Sequence, residues 1–193
     1  TKVSALGTWT NVVMDAKVGR KASLGATVIE KTITSSTTAI VVALGTNDMI
    51  SKPETWYPRW VIDTVMQKTR GLPVLWVNLE FSQTGRSDWR ARGVRFNREL
   101  RLAKQRFPNL SIADWNTAFT PKSKSRFIVD GVHLTVSGYK TEANFRACNF
   151  FIWFLHRQRE HHNKYVINNF DYLNFNNRAN DNRNFFINFN NNH

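Results

Sequence analysis

Largely apolar runs and segments with helical spacing alternate along the first 145 residues of the chain. Two runs, at residues 39–44 (AIVVAL) and 74–79 (VLWVNL), are typical of strands that are buried on both faces of a sheet. Shorter runs predict two further strands, at residues 11–14 (NVVM) and 110–113 (LSIA). The intervening segments predict helices at residues 21–35, 54–70 and 87–107 and a helix that starts within 135–144.

The apolar positions within these helices predict which faces pack inward. In the first helix, Leu24 and Val28 share a face that is expected to contact the sheet. In the second helix, Trp56, Trp60, Val65 and one of Val61 and Ile62 are expected to face the core. Most of the seven tryptophans are therefore expected to be buried, and Trp115, which follows a strand, is the one expected near a site.

Strands and helices that alternate at these spacings predict an α/β fold, in which a parallel sheet is covered by helices on both faces. In such folds, functional groups collect beyond the carboxyl ends of the strands. Polar clusters directly follow three of the predicted strands, at residues 15–20 (DAKVGR), 45–48 (GTND) and 114–115. The sequence therefore predicts a site at this edge of the sheet.

Residue types suited to acyl transfer occur in and near these clusters. Asp130 and His133, three positions apart in DGVHL, can pair so that the carboxylate holds the imidazole of a general base in the right tautomer. Asn47 follows a strand, so its side-chain amide can donate to an oxyanion, and a glycine backbone N–H can do the same. Each signal alone has a plainer interpretation, namely a surface Asp–His pair or an ordinary turn.

Taken in order, these segments resemble blocks of the SGNH, or GDSL-type, hydrolase superfamily. DAKVGR resembles the glycine block, with Gly19 as the oxyanion glycine, and ALGTND resembles the asparagine block, with Asn47 as the oxyanion amide. DGVHLTVSGY is similar to the last block, with Asp130 and His133 as the triad pair. The first and last blocks are most similar to SGNH domains attached to acyltransferase membrane proteins, including peptidoglycan O-acetyltransferases. The resemblance covers residues 1–145.

The resemblance implies a three-layer, flavodoxin-like parallel sheet in the strand order 2-1-3-4-5. It implies a serine esterase, that is, an O-acyl (acetyl) hydrolase or transferase, acting outside the cytoplasm on a small-molecule or glycan ester such as a cell-wall polymer. His133 would take the proton of the serine, Asp130 would orient His133, and no metal or cofactor is needed. Asp15 and Asp48 are expected to have structural roles.

The block that carries the nucleophile in this family is missing, because Gly-Asp-Ser occurs nowhere in the 193 residues. Ser4 is a poor substitute, since no strand precedes it and a nucleophilic serine needs a sharp strand-to-helix turn. The chain begins with Thr1, so we expect the block and the first central strand to lie upstream in a longer parent. Without that strand, the NVVM and AIVVAL strands lack a partner between them, and we expect the chain as given to fold poorly and to be inactive.

Residues 146–193 differ in composition from the SGNH-like domain at residues 1–145. From residue 163 onward, 13 of 31 residues are Asn, interleaved with Phe, Tyr, Leu and Ile. Such low complexity is typical of disordered segments that tend towards β-association. We therefore expect a disordered or out-of-frame tail, in which the adjacent His161 and His162 are too few to bind a metal.

The net charge of +13 favours polyanionic surroundings, such as nucleic acid, anionic lipid or a cell-wall polymer. Most of it belongs to residues 1–145, where 21 basic residues oppose 11 acidic residues. A nucleic-acid or polyanion-binding protein is therefore an alternative, although a solvated helix face is the plainer interpretation and no specific nucleic acid is expected. The basic residues that crowd one predicted helix are Arg86, Arg90, Arg92, Arg95, Arg98, Arg101, Lys104 and Arg106.

Composition narrows the remaining alternatives. A single cysteine, Cys148, excludes an internal disulfide and a zinc cluster built on cysteines. No apolar run reaches the roughly 18 residues that indicate a transmembrane helix, although the resemblance implies a parent attached to a membrane. A further alternative is a pseudoenzyme whose cleft binds an acyl or glycan group without turnover.

Overall fold

The computed structural model describes residues 11–119, 126–161 and 184–190. Strands and helices alternate within them, which confirms the predicted α/β class. Their order is β1 (Asn11–Lys17), α1 (Ala22–Thr32), β2 (Thr37–Val42), α2 (Thr46–Ser51), α3 (Tyr57–Lys68), β3 (Val74–Val77), α4 (Ser87–Ala103), β4 (Leu110–Ala113), α5 (Trp115–Phe119), α6 (Val136–His161) and β5 (Asn184–Asn190).

The strands of the described residues form one sheet in the order β1-β5-β2-β3-β4. β2, β3 and β4 are parallel, with Ile40 opposite Val74 and Val74 opposite Leu110. β1 runs in the same direction as these three strands, because β5 is antiparallel to both of its neighbours. The carboxyl ends of β1 to β4 therefore lie at one edge of the sheet, as the sequence predicted.

β5 lies at the centre of the sheet, where the sequence analysis expected two strand edges without a partner. It pairs with β1 from Asn11 opposite Asn190 to Lys17 opposite Asn184, and on its other side it pairs with β2. The structure thus differs from that expectation, since a strand from the asparagine-rich segment occupies the gap. Phe and Ile favour strands, and the segment NFFINFN contains four of them among its seven residues.

α6 continues through residue 145, at which the composition of the chain changes, and ends at residue 161. The predicted tail is therefore described in two pieces, the end of α6 and β5. Residues 162–183 and 191–193 of that tail lie outside the described residues. None of the helices in the described part of the chain combines the length and the apolar character needed to cross a membrane.

Two apolar cores cover opposite faces of the sheet, because successive residues of a strand point to opposite sides. On one face, Ile40, Val42 and Trp76 pack with α1, α3 and α4. On the other face, Val41 and Leu75 pack with α5, with the segment after residue 125, and with the start of α6. The described residues thus form three layers, helix–sheet–helix.

The inward face predicted for α1 is wrong at Leu24, whereas Val28 is partly buried against the core as predicted. Leu24 is exposed, and α1 packs through the small side chains of Ala22 and Ala26 together with Ile29. The reason is a close approach of α1 to the end of β2, at which a Cβ atom on Gly25 would lie 2.4 Å from the Leu44 side chain. Small residues, which carry little hydropathy signal, therefore define the contact.

The inward face predicted for α3 is wrong at both tryptophans, whereas Val61, Ile62 and Val65 are buried as predicted. Trp56 is 61% exposed and Trp60 is 47% exposed, although both are large apolar side chains. The buried residues of α3 are Tyr57, Pro58, Val61, Ile62, Val65 and Met66. Since Trp60 lies about 100° around the helix from Val61 and further from Ile62, it cannot share their face.

We predict that Ile187→Pro destabilises the centre of the sheet, because proline removes a backbone donor from a strand that has neighbours on both sides. Hydrogen–deuterium exchange should accelerate in residues 11–17 and 37–42, and the free energy of unfolding should fall by about 1–3 kcal/mol for each backbone group left unpaired. Ile187→Val, which keeps the N–H and the β-branched side chain, serves as the control. Unchanged protection of both neighbouring strands in the proline variant would contradict the observed pairing.

Candidate active site

The segment that carries Asp130 and His133 is a short hairpin anchored in the second core. Phe127 and Leu134, which are both buried, form an antiparallel bridge at its base. The N–H of Ile128 donates to the carbonyl of His133 at 2.8 Å. Two apolar anchors and this hydrogen bond therefore hold the polar tip of the hairpin in a defined position.

Within this tip, Asp130 and His133 form the pair that the sequence predicted. Asp130 Oδ1 accepts from the backbone N–H groups of Val132 and His133, both at 2.9 Å, and Asp130 Oδ2 hydrogen-bonds to His133 Nδ1. A carboxylate on Nδ1 favours the tautomer in which Nδ1 carries the proton and Nε2 is the acceptor. His133 is 43% exposed, so the pair has access to solvent.

The charge of Asp130 is stabilised by this arrangement. Partial burial raises the pKa of its carboxyl, but the backbone N–H groups of His133 and Val132 and the imidazole outweigh burial and hold that pKa below its usual value. Asp130 therefore remains an anion beside His133 at neutral pH, which suits a carboxylate that orients an imidazole.

The connection between β3 and α4 fixes the hairpin against the sheet. The N–H of Ser82 donates to the carbonyl of Gly131 at 2.9 Å. Gly131 has a φ of +71° and packs backbone to backbone on Gly85, because a Cβ atom at Gly131 would lie 2.5 Å from the Gly85 Cα. The Asp130–His133 pair is thereby placed next to the chain that leaves the carboxyl end of β3.

Gly19 and Asn47, the two predicted oxyanion donors, lie beyond the carboxyl ends of β1 and β2. Gly19 is exposed with a φ of +70°, which only glycine adopts readily, and open space surrounds its Cα. Asn47 Nδ2 donates to the carbonyl of Arg20 at 3.3 Å, so the two turns touch. The amide of Asn47 has two N–H groups, and the hydrogen bonds described for it use one.

Asp48 is buried and joins the start of three helices. Its Oδ2 accepts from the N–H of Ala22 at 2.8 Å, and its Oδ1 accepts from the hydroxyl of Tyr57 at 2.8 Å. Burial raises the pKa of the Asp48 carboxyl, and it also raises the pKa of Tyr57 beside it. Asp15 likewise has a structural contact, an ion pair with the buried Arg20.

The structure brings together one pair of predicted site residues, Asp130 with His133, and a second pair is formed by Asn47 and Arg20, the residue after Gly19. Among the described residues, no hydrogen bond of Asn47 or His133 links one pair to the other. Both pairs lie at the same edge of the sheet, at which β5 begins opposite Lys17. Ser4, the substitute nucleophile considered from the sequence, lies outside the described residues.

A polar network beyond β3 and β4 was missed by the sequence analysis. Asn78 Nδ2 donates to Asp114 at 2.7 Å, and Asn78 Oδ1 accepts from the N–H of Asn116 at 2.8 Å. Asn116 in turn donates to Glu80, and an open cleft lies beside these last two residues. The signal was present, since Asn78 and Glu80 alternate with apolar residues directly after a buried strand.

The arginines of α4 are largely engaged within the protein. Arg92 donates to the carbonyls of Met49 and Ile50, both at 3.1 Å, and Arg106 contacts Asp63 at 2.5 Å. These contacts hold α4 against α2 and α3. Further partners are Asp88 for Arg86, Ser82 and Gly85 for Arg90, Pro53 for Arg95 and Glu99 for Arg98.

Trp115 has a core position, in contrast to the expectation that it faces the site. It is 4% exposed, and its ring lies 5.2 Å from that of Phe145, so the start of α6 covers it. No group of three or more metal-binding side chains occurs among residues 11–119, 126–161 and 184–190.

Comparisons with known proteins found no family model that matches the chain and no curated protein that matches its sequence.

We predict that Asp48→Ala strongly destabilises the protein, because the N–H of Ala22 and the hydroxyl of Tyr57 both lose their acceptor in a buried position. Each unsatisfied group costs about 1–3 kcal/mol, to be measured as the free energy of unfolding in urea. Tyr57→Phe removes the hydroxyl itself and should cost less than Asp48→Ala. Equal stability of Asp48→Ala and the unmodified chain would contradict this bracing role.

We predict that Asp130 contributes stability that acid removes. Because folding lowers the pKa of its carboxyl, the contribution is complete above the usual value and is lost as the pH falls through the lowered value. Asp130→Asn should therefore lower the free energy of unfolding at about pH 7 but have a smaller effect at about pH 2. Val129→Ala, at an exposed neighbouring position, is the control, and an Asp130→Asn effect that does not change with pH would refute the prediction.

Proposed function

We propose that this chain carries the general base, its orienting carboxylate and two oxyanion donors of an SGNH-type serine esterase. Its reaction would be hydrolysis or transfer of an ester-linked acyl group, such as acetyl, on a carbohydrate or cell-wall polymer. The observation that carries the proposal is the hydrogen bond from His133 Nδ1 to Asp130, whose second oxygen is held by two backbone N–H groups. Such a pair is built to present Nε2 as an acceptor.

The sheet supports the same proposal. β1, β2, β3 and β4 stand in the order expected for the second to fifth strands of a flavodoxin-like sheet, and one strand position separates the first two. The predicted site residues follow β1 and β2 or lie next to the chain leaving β3. In the proposed enzyme, an upstream strand would take the position that β5 occupies between β1 and β2, and the missing serine would stand at the end of that strand.

In the proposed reaction, the serine hydroxyl attacks the ester carbonyl while His133 Nε2 takes its proton. The carbonyl oxygen becomes an oxyanion, to which the N–H of Gly19 and the second amide N–H of Asn47 donate. His133 then returns the proton to the leaving alcohol, and an acyl-enzyme remains. Water or an acceptor hydroxyl, deprotonated by His133, then attacks the acyl carbonyl. The bond to the serine oxygen breaks, and His133 returns the proton to that oxygen. The chain as given lacks the serine and is inactive in this scheme.

Only part of the basic charge in and next to α4 is available for nucleic-acid binding, since Arg98 and Arg101 are exposed but other arginines are engaged. A phosphate-binding stripe needs arginines that are available to phosphates. Arg92 and Arg106 instead bind backbone carbonyls and a carboxylate of the same chain. The high charge of the helix is therefore used in part to hold the fold together.

A chain extended upstream by a strand that ends in Gly-Asp-Ser tests the proposal with 4-nitrophenyl acetate as substrate. We predict turnover that is lost in His133→Ala, because His133 is the group proposed to take the serine proton. Asn47→Ala should reduce kcat by about 10²–10³-fold. Asn144→Ala, at an exposed position on α6, is the matched control.

Turnover that survives His133→Ala would refute the assigned base. Turnover that is absent from the extended chain, combined with retained binding of an acyl glycan, would favour a pseudoenzyme. The same chain ending in Gly-Asp-Ala measures the background rate in both cases.

A further inference from the structure

Two tryptophans that the sequence analysis placed in the core instead form an exposed surface at the start of α3. Trp56 is 61% exposed and Trp60 is 47% exposed, and their ring centroids are 6.2 Å apart at an interplanar angle of 74°. Both rings rest on the ring of Tyr57, at centroid distances of 5.8 Å and 5.3 Å. Because Tyr57 is buried and its hydroxyl is bound to Asp48, it gives the two exposed rings a rigid base.

Cationic side chains border these rings. Lys52 Nζ lies 5.7 Å from the centre of the Tyr57 ring, and the Arg59 side chain is 65% exposed. The nearest carboxylate of Arg59, that of Asp63, is 3.8 Å away and also binds Arg106 at 2.5 Å. A second carboxylate, that of Glu54, lies close to Tyr57. Lys52, Arg59 and Arg106 thus oppose Asp63 and Glu54 here, which leaves an excess of one positive charge. Trp56, Trp60, Lys52 and Arg59 are called the aromatic surface below.

The side chains of Tyr57 and Asp48 connect the aromatic surface to Asn47, the predicted oxyanion donor. Tyr57, beneath the exposed rings, donates to Asp48, and Asp48 follows Asn47 in α2. A polymer that rests on the exposed rings would therefore pass close to the turn that carries Asn47. This position makes the surface suitable for the part of a substrate that does not react.

We propose that the aromatic surface binds the sugar rings of an acidic polysaccharide, such as a polyuronate, and so holds the polymer beside the site. This inference rests on the proposed esterase function for its biological meaning, but the binding itself does not require turnover. The faces of pyranose rings present C–H groups, whose partial positive charge is attracted to the negative face of an indole. The carboxylates of the polymer would pair with Lys52 and Arg59.

The geometry of the rings favours a polysaccharide over a single-stranded nucleic acid. Successive bases on a protein stack on aromatic faces, and the backbone needs a positively charged groove along its path. Trp56 and Trp60 are close to perpendicular, so they do not offer two parallel faces to adjacent bases. Sugar rings in a polysaccharide rotate about the glycosidic bonds and can meet two rings of different orientation.

The full 193-residue chain is titrated with polygalacturonate, with tryptophan fluorescence and calorimetry as readouts, and with neutral dextran for comparison. We predict that Trp56→Ala and Trp60→Ala each weaken the binding of polygalacturonate by about tenfold or more, because exposed aromatic anchors dominate such contacts. Trp60→Tyr, which keeps an aromatic ring, should restore most of the affinity. Leu24→Ala, an exposed apolar position on α1, is the matched control and should bind normally.

The charge is tested separately. Arg59→Gln should weaken the binding of polygalacturonate and make it less dependent on salt, whereas Arg98→Gln, which is equally exposed on α4, should not. Equal affinity in the tryptophan variants and the unmodified chain, or equal binding of dextran, would overturn the proposal. Tighter binding of oligothymidylate or of phosphatidylserine vesicles through the same two tryptophans would assign the surface to nucleic acid or to a membrane instead.

Because this titration needs no serine, its result is separate from that of the esterase assay. Loss of polysaccharide binding would leave the Asp130–His133 assignment standing. Binding without turnover in the extended chain would refute the esterase and keep the aromatic surface.

Discussion

The carboxylate of Asp48 is the point at which three helices meet. It belongs to the first turn of α2, accepts from the first residue of α1 and accepts from the hydroxyl of Tyr57 in α3. A buried charge is stable only where hydrogen bonds compensate for its lost hydration, so the three helix starts cannot drift apart independently. The positions of the two proposed oxyanion donors and of the exposed tryptophans depend on that junction. The turn with Gly19 leads into α1, Asn47 precedes the carboxylate, and the exposed tryptophans lie on the ring of Tyr57.

Sequence patterns predicted the elements whose signals are local. β4 was predicted to the residue, and the apolar runs located β2 and β3 within a few positions, because strands covered on both faces need continuous apolar sequence. The Asp130–His133 contact was also predictable from local sequence, since only two residues separate the two side chains along the chain. α2 and α5 were missed, because helices of six and five residues have too few turns to show a period.

Other errors came from contacts that hydrophobicity does not encode. Leu24 and Trp60 have the side chains expected of a core but are exposed. Small residues allow α1 to approach Leu44 closely, and α3 packs through the face that carries Val61 and Ile62. The arginines in and next to α4 have side chains expected at the surface, but some of them are engaged within the fold. Their number suggested a surface for a polyanion, whereas Arg92 and Arg106 hold α4 to its neighbours through Met49, Ile50 and Asp63. Composition gives the number of charged and aromatic side chains, but only the packing determines which of them remain available to bind a partner.

The pairing of β5 also bears on the order in which the chain can fold. Residue 40 of β2 pairs with residue 74 of β3, and residue 74 pairs with residue 110 of β4. In each case a single helical crossover separates the two partners along the chain. Asn11 and Asn190, which pair at the amino end of β1, are separated by almost the whole length of the chain. Contacts between such distant residues require a large loss of chain entropy before they stabilise anything. The parallel strands can therefore assemble early with their helices, whereas the middle of the sheet closes last, and the neighbouring edges of β1 and β2 stay open to other strands until it does.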